Sequence, residues 1–151
     1  MTGRSRKHAP RSRFVTLFVG VFSPATGELS YVNAGQNPPL LRRAGGTYER
    51  LRSGGMALGM FEHATYTTGQ TVLAMDDVMV MYSDGITEAE NSVGDAFDEV
   101  GVQAIVDGRT WGSAKELGWQ LFQAVEHYTE QRRLLDDLTV LVARRLPALP
   151  V

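Results

Sequence analysis

Hydrophobic and polar positions alternate in short runs through the first half of the chain, and turn chemistry separates the runs. Residues 14–22 are rich in Phe, Val and Thr; Pro24 and Gly27 supply a turn, and residues 29–33 return as the partner of a hairpin. The segment Ala34-Gly35-Gln36-Asn37-Pro38-Pro39 interrupts the ladder, because proline has no N–H to donate. A second meander follows, with strands over 40–43 and 47–51 joined by the tight turn Ala44-Gly45-Gly46. The glycines at 54, 55 and 59 predict a loop, and 65–68 and 70–73 read as weaker strands broken by Gly69. Val78-Met79-Val80-Met81-Tyr82 has no polar interruption, so it predicts a strand buried on both faces, introduced by the turn pair Asp76-Asp77.

The period then changes. Phe97, Val100, Ala104 and Ile105 fall on one face of a first helix that Gly108 stops. Ser113 followed by Glu116 is a capping box, and Leu117, Leu121, Val125 and Tyr128 repeat at helical spacing, so a second helix lays this stripe on a sheet. Residues 138–143 form a last strand. Strands, then helices, then a strand predict a layered α/β (α+β) domain without internal repeats.

With 43% hydrophobic and 21% charged residues in 151, the chain is one ordinary globular domain rather than a disordered one. It contains no cysteine, which removes disulfide frameworks, cysteine zinc sites, dithiol redox pairs and cysteine nucleophiles. No apolar run approaches the roughly 18 residues of a membrane span, and the start of the chain lacks the apolar segment of a signal peptide, so no membrane association and a cytoplasmic location are expected. Arg4, Arg6, Lys7, Arg11 and Arg13 crowd the first thirteen positions, which hold no acid, and the body is correspondingly acidic. An arm for nucleic acid is one reading of that cluster; with no aromatic residue interleaved to stack on bases, a solvated leader is the better one and no nucleic-acid partner is expected.

Among candidate chemistries, a serine nucleophile fails because no G-x-S-x-G elbow occurs, and His8, His63 and His127 stand alone as surface residues. The glycines of 54–59 do not spell a phosphate-binding loop. Carboxylates give a stronger signal. Asp84-Gly85 follows the buried strand directly and Asp136-Asp137 precedes the last strand directly; if those strands are antiparallel neighbours, the two acidic ends converge at one end of the sheet. Asp76-Asp77 sits at the opposite end, since a strand advances about 3.3 Å per residue. Oxygen ligands without His or Cys select Mg²⁺, Mn²⁺ or Ca²⁺. Asp-Gly and Asp-Asp are also plain turn formers, and spacing alone supports both readings.

The segments Phe14-Val15-Thr16-Leu17-Phe18, Tyr31-Val32-Asn33-Ala34-Gly35-Gln36-Asn37-Pro38-Pro39-Leu40-Leu41, Gly55 to Gly59, Tyr82-Ser83-Asp84-Gly85-Ile86-Thr87-Glu88-Ala89 and Asp136-Asp137-Leu138-Thr139 resemble, in this order, the SpoIIE/RsbU-type protein phosphatases of the metal-dependent PPM (PP2C-like) class. The resemblance implies an α-β-β-α sandwich of two mainly antiparallel sheets. It implies hydrolysis of phosphoserine or phosphothreonine in a regulatory phosphoprotein, such as a STAS-type anti-sigma-factor antagonist, by water activated between two Mn²⁺ or Mg²⁺ ions. It makes Asp84 and Asp136 the catalytic metal ligands, with Gly85, Asp137 and Asn37 as supporting residues around them.

Two departures shape what is expected of this chain. Gln36 stands where the family's N-A-G-H-N has histidine, which puts a neutral amide in place of a group that titrates near neutrality. The family's D-x-S-G-H-G-type motif, with the aspartate that bridges both metals, does not occur in the sequence. The expected organisation is therefore a basic disordered leader over 1–13, a partial phosphatase domain over 14–145 with its N-terminal part missing, and a tail over 146–151. At best one weak metal site, reduced activity and self-association through exposed sheet edges follow as expectations. The alternatives are a non-catalytic module that binds a regulator, or a gene fragment.

Overall fold

The computed structural model describes residues 13–108, 111–130 and 136–147. The leader expected over 1–13 lies outside the described residues except for Arg13, and so do the last four residues of the tail and His8.

Two sheets form face to face. In the first, β1 (Leu17–Phe22) and β2 (Glu28–Ala34) pair as an antiparallel hairpin in the register Phe22↔Leu29, closed by a turn in which Gly27 has φ +81°. β2 also pairs with the two-residue β5 (Gly54–Gly55) and with β6 (Gly69–Val72). The second sheet has the order β4-β3-β7-β8, in which β3 (Leu40–Arg42), β4 (Tyr48–Arg50), β7 (Val78–Tyr82) and β8 (Val140–Arg144) are antiparallel throughout. The helices are α1 (Asp84–Thr87), α2 (Asp98–Gly108) and α3 (Ala114–Tyr128).

Strand alternation divides the apolar side chains between two cores. Leu40, Val78, Val80 and Tyr82 face Val102, Val106, Leu117, Leu121 and Val125 of the helices, while Leu41 and Met79 face Leu29 and Tyr31 of the first sheet. This is why the Val78–Tyr82 run carries no polar residue: both its faces are covered. On the outer face of the first sheet, Leu17, Val19, Val21 and Val72 are exposed.

Three expectations are corrected. Gly54 and Gly55 are not loop but a short strand, because Gly54 lies against Asn33 so closely that a Cβ would fall 1.8 Å from the Asn33 carbonyl oxygen. Residues 65–68 form no strand; pairing begins at Gly69. The buried face of α2 is Val102 and Val106 rather than Val100 and Ala104, and Val100 is 71% exposed. Asp98 has φ +56°, so the chain turns between Phe97 and the helix, and Phe97 is buried without belonging to the helical stripe. For α3 the expected stripe is the buried one, and the Ser113 hydroxyl accepts the Glu116 N–H at 3.1 Å. The Glu116 carboxylate closes the cap one residue further out than a standard box, on the Gly112 N–H.

This assignment of helix faces gives a simple expected result. Leu121→Ala removes a side chain that is 1% exposed and should cost about 2–5 kcal/mol in urea unfolding, whereas Val100→Ala should change stability by less than about 0.5 kcal/mol.

Candidate metal centre

The end of β7 and the start of β8 lie side by side. Their ladder runs from Val78↔Arg144 to Tyr82↔Val140 and continues one step past both strands, where the Ser83 N–H donates to the Thr139 carbonyl at 3.0 Å. The chain then turns sharply into α1, whose first residue is Asp84, while the approach to β8 is the exposed turn holding Asp136 and Asp137. Gly85 makes the approach possible. A Cβ there would sit 2.6 Å from the Asp137 carbonyl oxygen and 3.5 Å from the Asp136 Cβ. Only a residue without a side chain lets the Asp84 corner and the Asp136-Asp137 turn touch. Asp76 and Asp77 are at the far end of the same strand, as its length requires.

Asp84, Asp136 and Asp137 are all exposed. Asp84 accepts the Gly85 N–H at 3.0 Å and Asp136 accepts the Asp137 N–H at 2.8 Å, both through Oδ1. Among the described residues, none of the ion pairs involves these three acids. The result is a concentration of negative charge, open to solvent, with which no basic side chain among the described residues pairs. Hard oxygen donors of this kind suit Mg²⁺ or Mn²⁺. The donor number is smaller than a closed site needs: among the described residues no group of three or more His, Cys, Asp or Glu side chains is placed to hold a metal. His63 and His127 are exposed.

The turn 33–37 forms the adjoining wall. Its organiser is Asn33, which sequence reasoning passed over: the buried Asn33 amide donates to the Gln36 and Leu51 carbonyls and accepts the Gln36 N–H at 2.8 Å. Gly35 has φ +77° and lies against the Ala57 backbone. Gln36 receives the Thr16 hydroxyl at 2.8 Å, and Asn37 is half-buried in the same turn. Thr16, Phe18, Gln36, Met81, Ser83 and Thr139 line a cavity of about 420 Å³ that opens between the sheets beside Ser83. Gln36 therefore faces the same space as the two strand ends. The sequence marks Asn33 only as the first residue of the N-A-G-Q-N segment, and its role depends on Leu51 and Ser53 folding back over it.

This arrangement of two sheets and flanking helices is shared with solved PP2C phosphatase domains, and the comparisons also give the family. The family model of Stage II sporulation protein E (SpoIIE) matches residues 3–146, so the chain belongs to the SpoIIE family. It is 34% identical over 91 residues to Protein IcfG of Synechocystis sp., a match that takes in 60% of this chain and 14% of that protein. It is 25% identical over 135 residues to the phosphoserine phosphatase RsbU of Bacillus subtilis, covering 89% of this chain and 40% of RsbU. The phosphatase domain of SpoIIE from Bacillus subtilis has the same fold, with a TM-score of 0.69 at 19% identity over 90% of this chain and 60% of that one. The chain thus spans less than half the length of the curated relatives it matches. Among the described residues, no helix is long and apolar enough to cross a membrane.

Proposed function

We propose that this chain carries part of the catalytic centre of a metal-dependent protein serine/threonine phosphatase, with Asp84 and Asp136 as ligands to Mn²⁺ or Mg²⁺. The observation that supports this most is the meeting of two acidic strand ends, about fifty residues apart in sequence, with no ion pair to either among the described residues. When bound, such ions activate water and neutralise charge on the phosphate ester. The protein's share is positional: Gly85 admits the Asp137 backbone, Asp137 extends the negative patch, and the turn with Asn37 walls the adjoining cavity. In this reading residues 14–145 are the domain, flanked by a leader and a tail.

The proposed substrate is a phosphorylated regulator of the STAS type, such as an anti-sigma-factor antagonist, met in the cytoplasm. Relationship to RsbU, whose name states action on phosphoserine, supports that class. The free edges that β1 and β8 present among the described residues favour self-association. A second reading, a module that binds such a regulator without turning it over, draws support from the small number of ligands.

Calorimetry with Mn²⁺ separates a metal centre from a pair of turns. A weak site lost on Asp84→Asn and on Asp136→Asn is expected; binding that survives both substitutions would place the ion elsewhere.

A further inference from the structure

We propose that Ser83 is a positioning residue that holds Asp84 and the Asp136-Asp137 turn in register through its side-chain hydroxyl. The inference rests on the metal-centre reading above. It begins from an anomaly. Ser83 is the N-cap residue of α1, with φ −78° and ψ 161°, a position where serine ordinarily accepts an N–H of the first helical turn. Here the side chain makes no capping hydrogen bond. Its hydroxyl is turned the other way, across to the neighbouring strand, where it donates to the Asp137 carbonyl at 3.0 Å and accepts the Thr139 N–H at 3.0 Å.

Together with the Ser83 N–H bonded to the Thr139 carbonyl, these contacts make three hydrogen bonds from one residue to the segment that follows Asp136. Thr139 is held through its backbone on both sides, by the Ser83 N–H and the Ser83 hydroxyl. The ladder of β7 and β8 alone would fix strand direction and register up to Tyr82↔Val140. Beyond that pair the two chains diverge into a helix and an exposed turn, and the Ser83 hydroxyl spans the gap where they part. Gly85 permits the close approach; Ser83 fixes it. The S-D-G and D-D-x-T segments are thereby clipped together by a single oxygen that needs both its donor and its acceptor capacity. Alanine offers neither, and threonine at this extended backbone position keeps both.

The test uses the full 151-residue chain as wild type, Ser83→Ala, Ser83→Thr, Asp84→Asn and Asp136→Asn. Amide hydrogen exchange without metal reads the clip itself, and Mn²⁺ titration followed by water-proton relaxation reads its consequence. Ser83→Ala should speed exchange of the Thr139 amide by about tenfold, the equivalent of one hydrogen bond, and weaken Mn²⁺ binding by roughly 10- to 100-fold. Ser83→Thr should restore both. A purely structural serine would lower the melting temperature and leave Mn²⁺ affinity where it was. The positioning role is overturned if Ser83→Ala leaves affinity unchanged while Asp84→Asn and Asp136→Asn abolish it. Affinity insensitive to either aspartate would instead overturn the metal centre, and the positioning role with it.

Discussion

The purified 151-residue chain with Mn²⁺ is expected to hydrolyse p-nitrophenyl phosphate or a phosphoserine peptide no faster than buffer, and to gain turnover when a SpoIIE-family N-terminal segment is joined ahead of Phe14. In-line displacement at a phosphate ester by two metal ions requires both to be held about 3.5–4 Å apart, so that one activates water while the pair clamps the phosphate oxygens. In the proposed site Asp84 and Asp136 are the ligands, and among the described residues no group of three or more acidic, imidazole or thiol side chains is placed to hold an ion. In the longer polypeptide, Asp84→Ala should lower turnover by more than about a hundredfold, since loss of even a residue behind a metal ligand costs roughly 10- to 100-fold. Strong Mn²⁺-dependent hydrolysis by the short chain, lost on Asp84→Ala, would show that it assembles a working site unaided. Absence of turnover in both polypeptides would favour the regulator-binding module.

Arg43→Ala is expected to have the largest effect on stability of any exchange outside the apolar core. Asp77 is 1% exposed and sits where the two sheets meet at the end away from the candidate site. Arg43 donates to Asp77 at 2.8 Å and to Thr71 at 2.9 Å, and it also pairs with Glu49. The Ala44 and Ala74 amides each donate to Asp77 at 2.9 Å. Arg43 thus joins β4, β6 and the start of β7, and its removal leaves a buried carboxylate without its cation. A loss of about 3–5 kcal/mol is expected, towards the lower figure because Arg43 itself is partly exposed.

The same cluster predicts a pH dependence with a definite sign. Burial pushes the Asp77 carboxyl up, but Arg43 and the two amides outweigh burial and hold it below its ordinary value of 3.8. A depressed carboxyl adds stability that is fully present above the unfolded-state value and is lost as pH falls through the folded-state one. Urea midpoints should therefore fall for the wild type below about pH 4. Arg43→Ala should flatten that slope; an unchanged slope would show that Asp77 does not carry it.

The parts of this molecule written in local pattern were legible before the structure. The two hairpins announce themselves by their turns, β7 by its unbroken apolar run, and α3 by its stripe and cap. The convergence of Asp84 with Asp136 followed from one assumption, antiparallel pairing of the strands beside them, and that pairing is present. What escaped was tertiary. Asp77 reads as a turn former, and its burial depends on Arg43 and Ala44, more than thirty residues away. Asn33 and Ser83 stand inside the family segments, but their structural roles were not legible there, because their partners arrive from Leu51, Asp137 and Thr139. The face of α2 was misplaced by counting from Phe97, since nothing in the letters shows that Asp98 adopts φ +56° and resets the period.

Where the cation binds is the claim on which the rest depends, and substoichiometric Mn²⁺ added to the ¹⁵N-labelled chain reads it directly. The amide signals of Gly85, Asp136 and Asp137 should broaden first, with Gly45, at the far end of the second sheet, among the last. Broadening centred on the acidic segment of Glu90, Asp95 and Asp98, with Gly85 and Asp137 left sharp, would contradict the account.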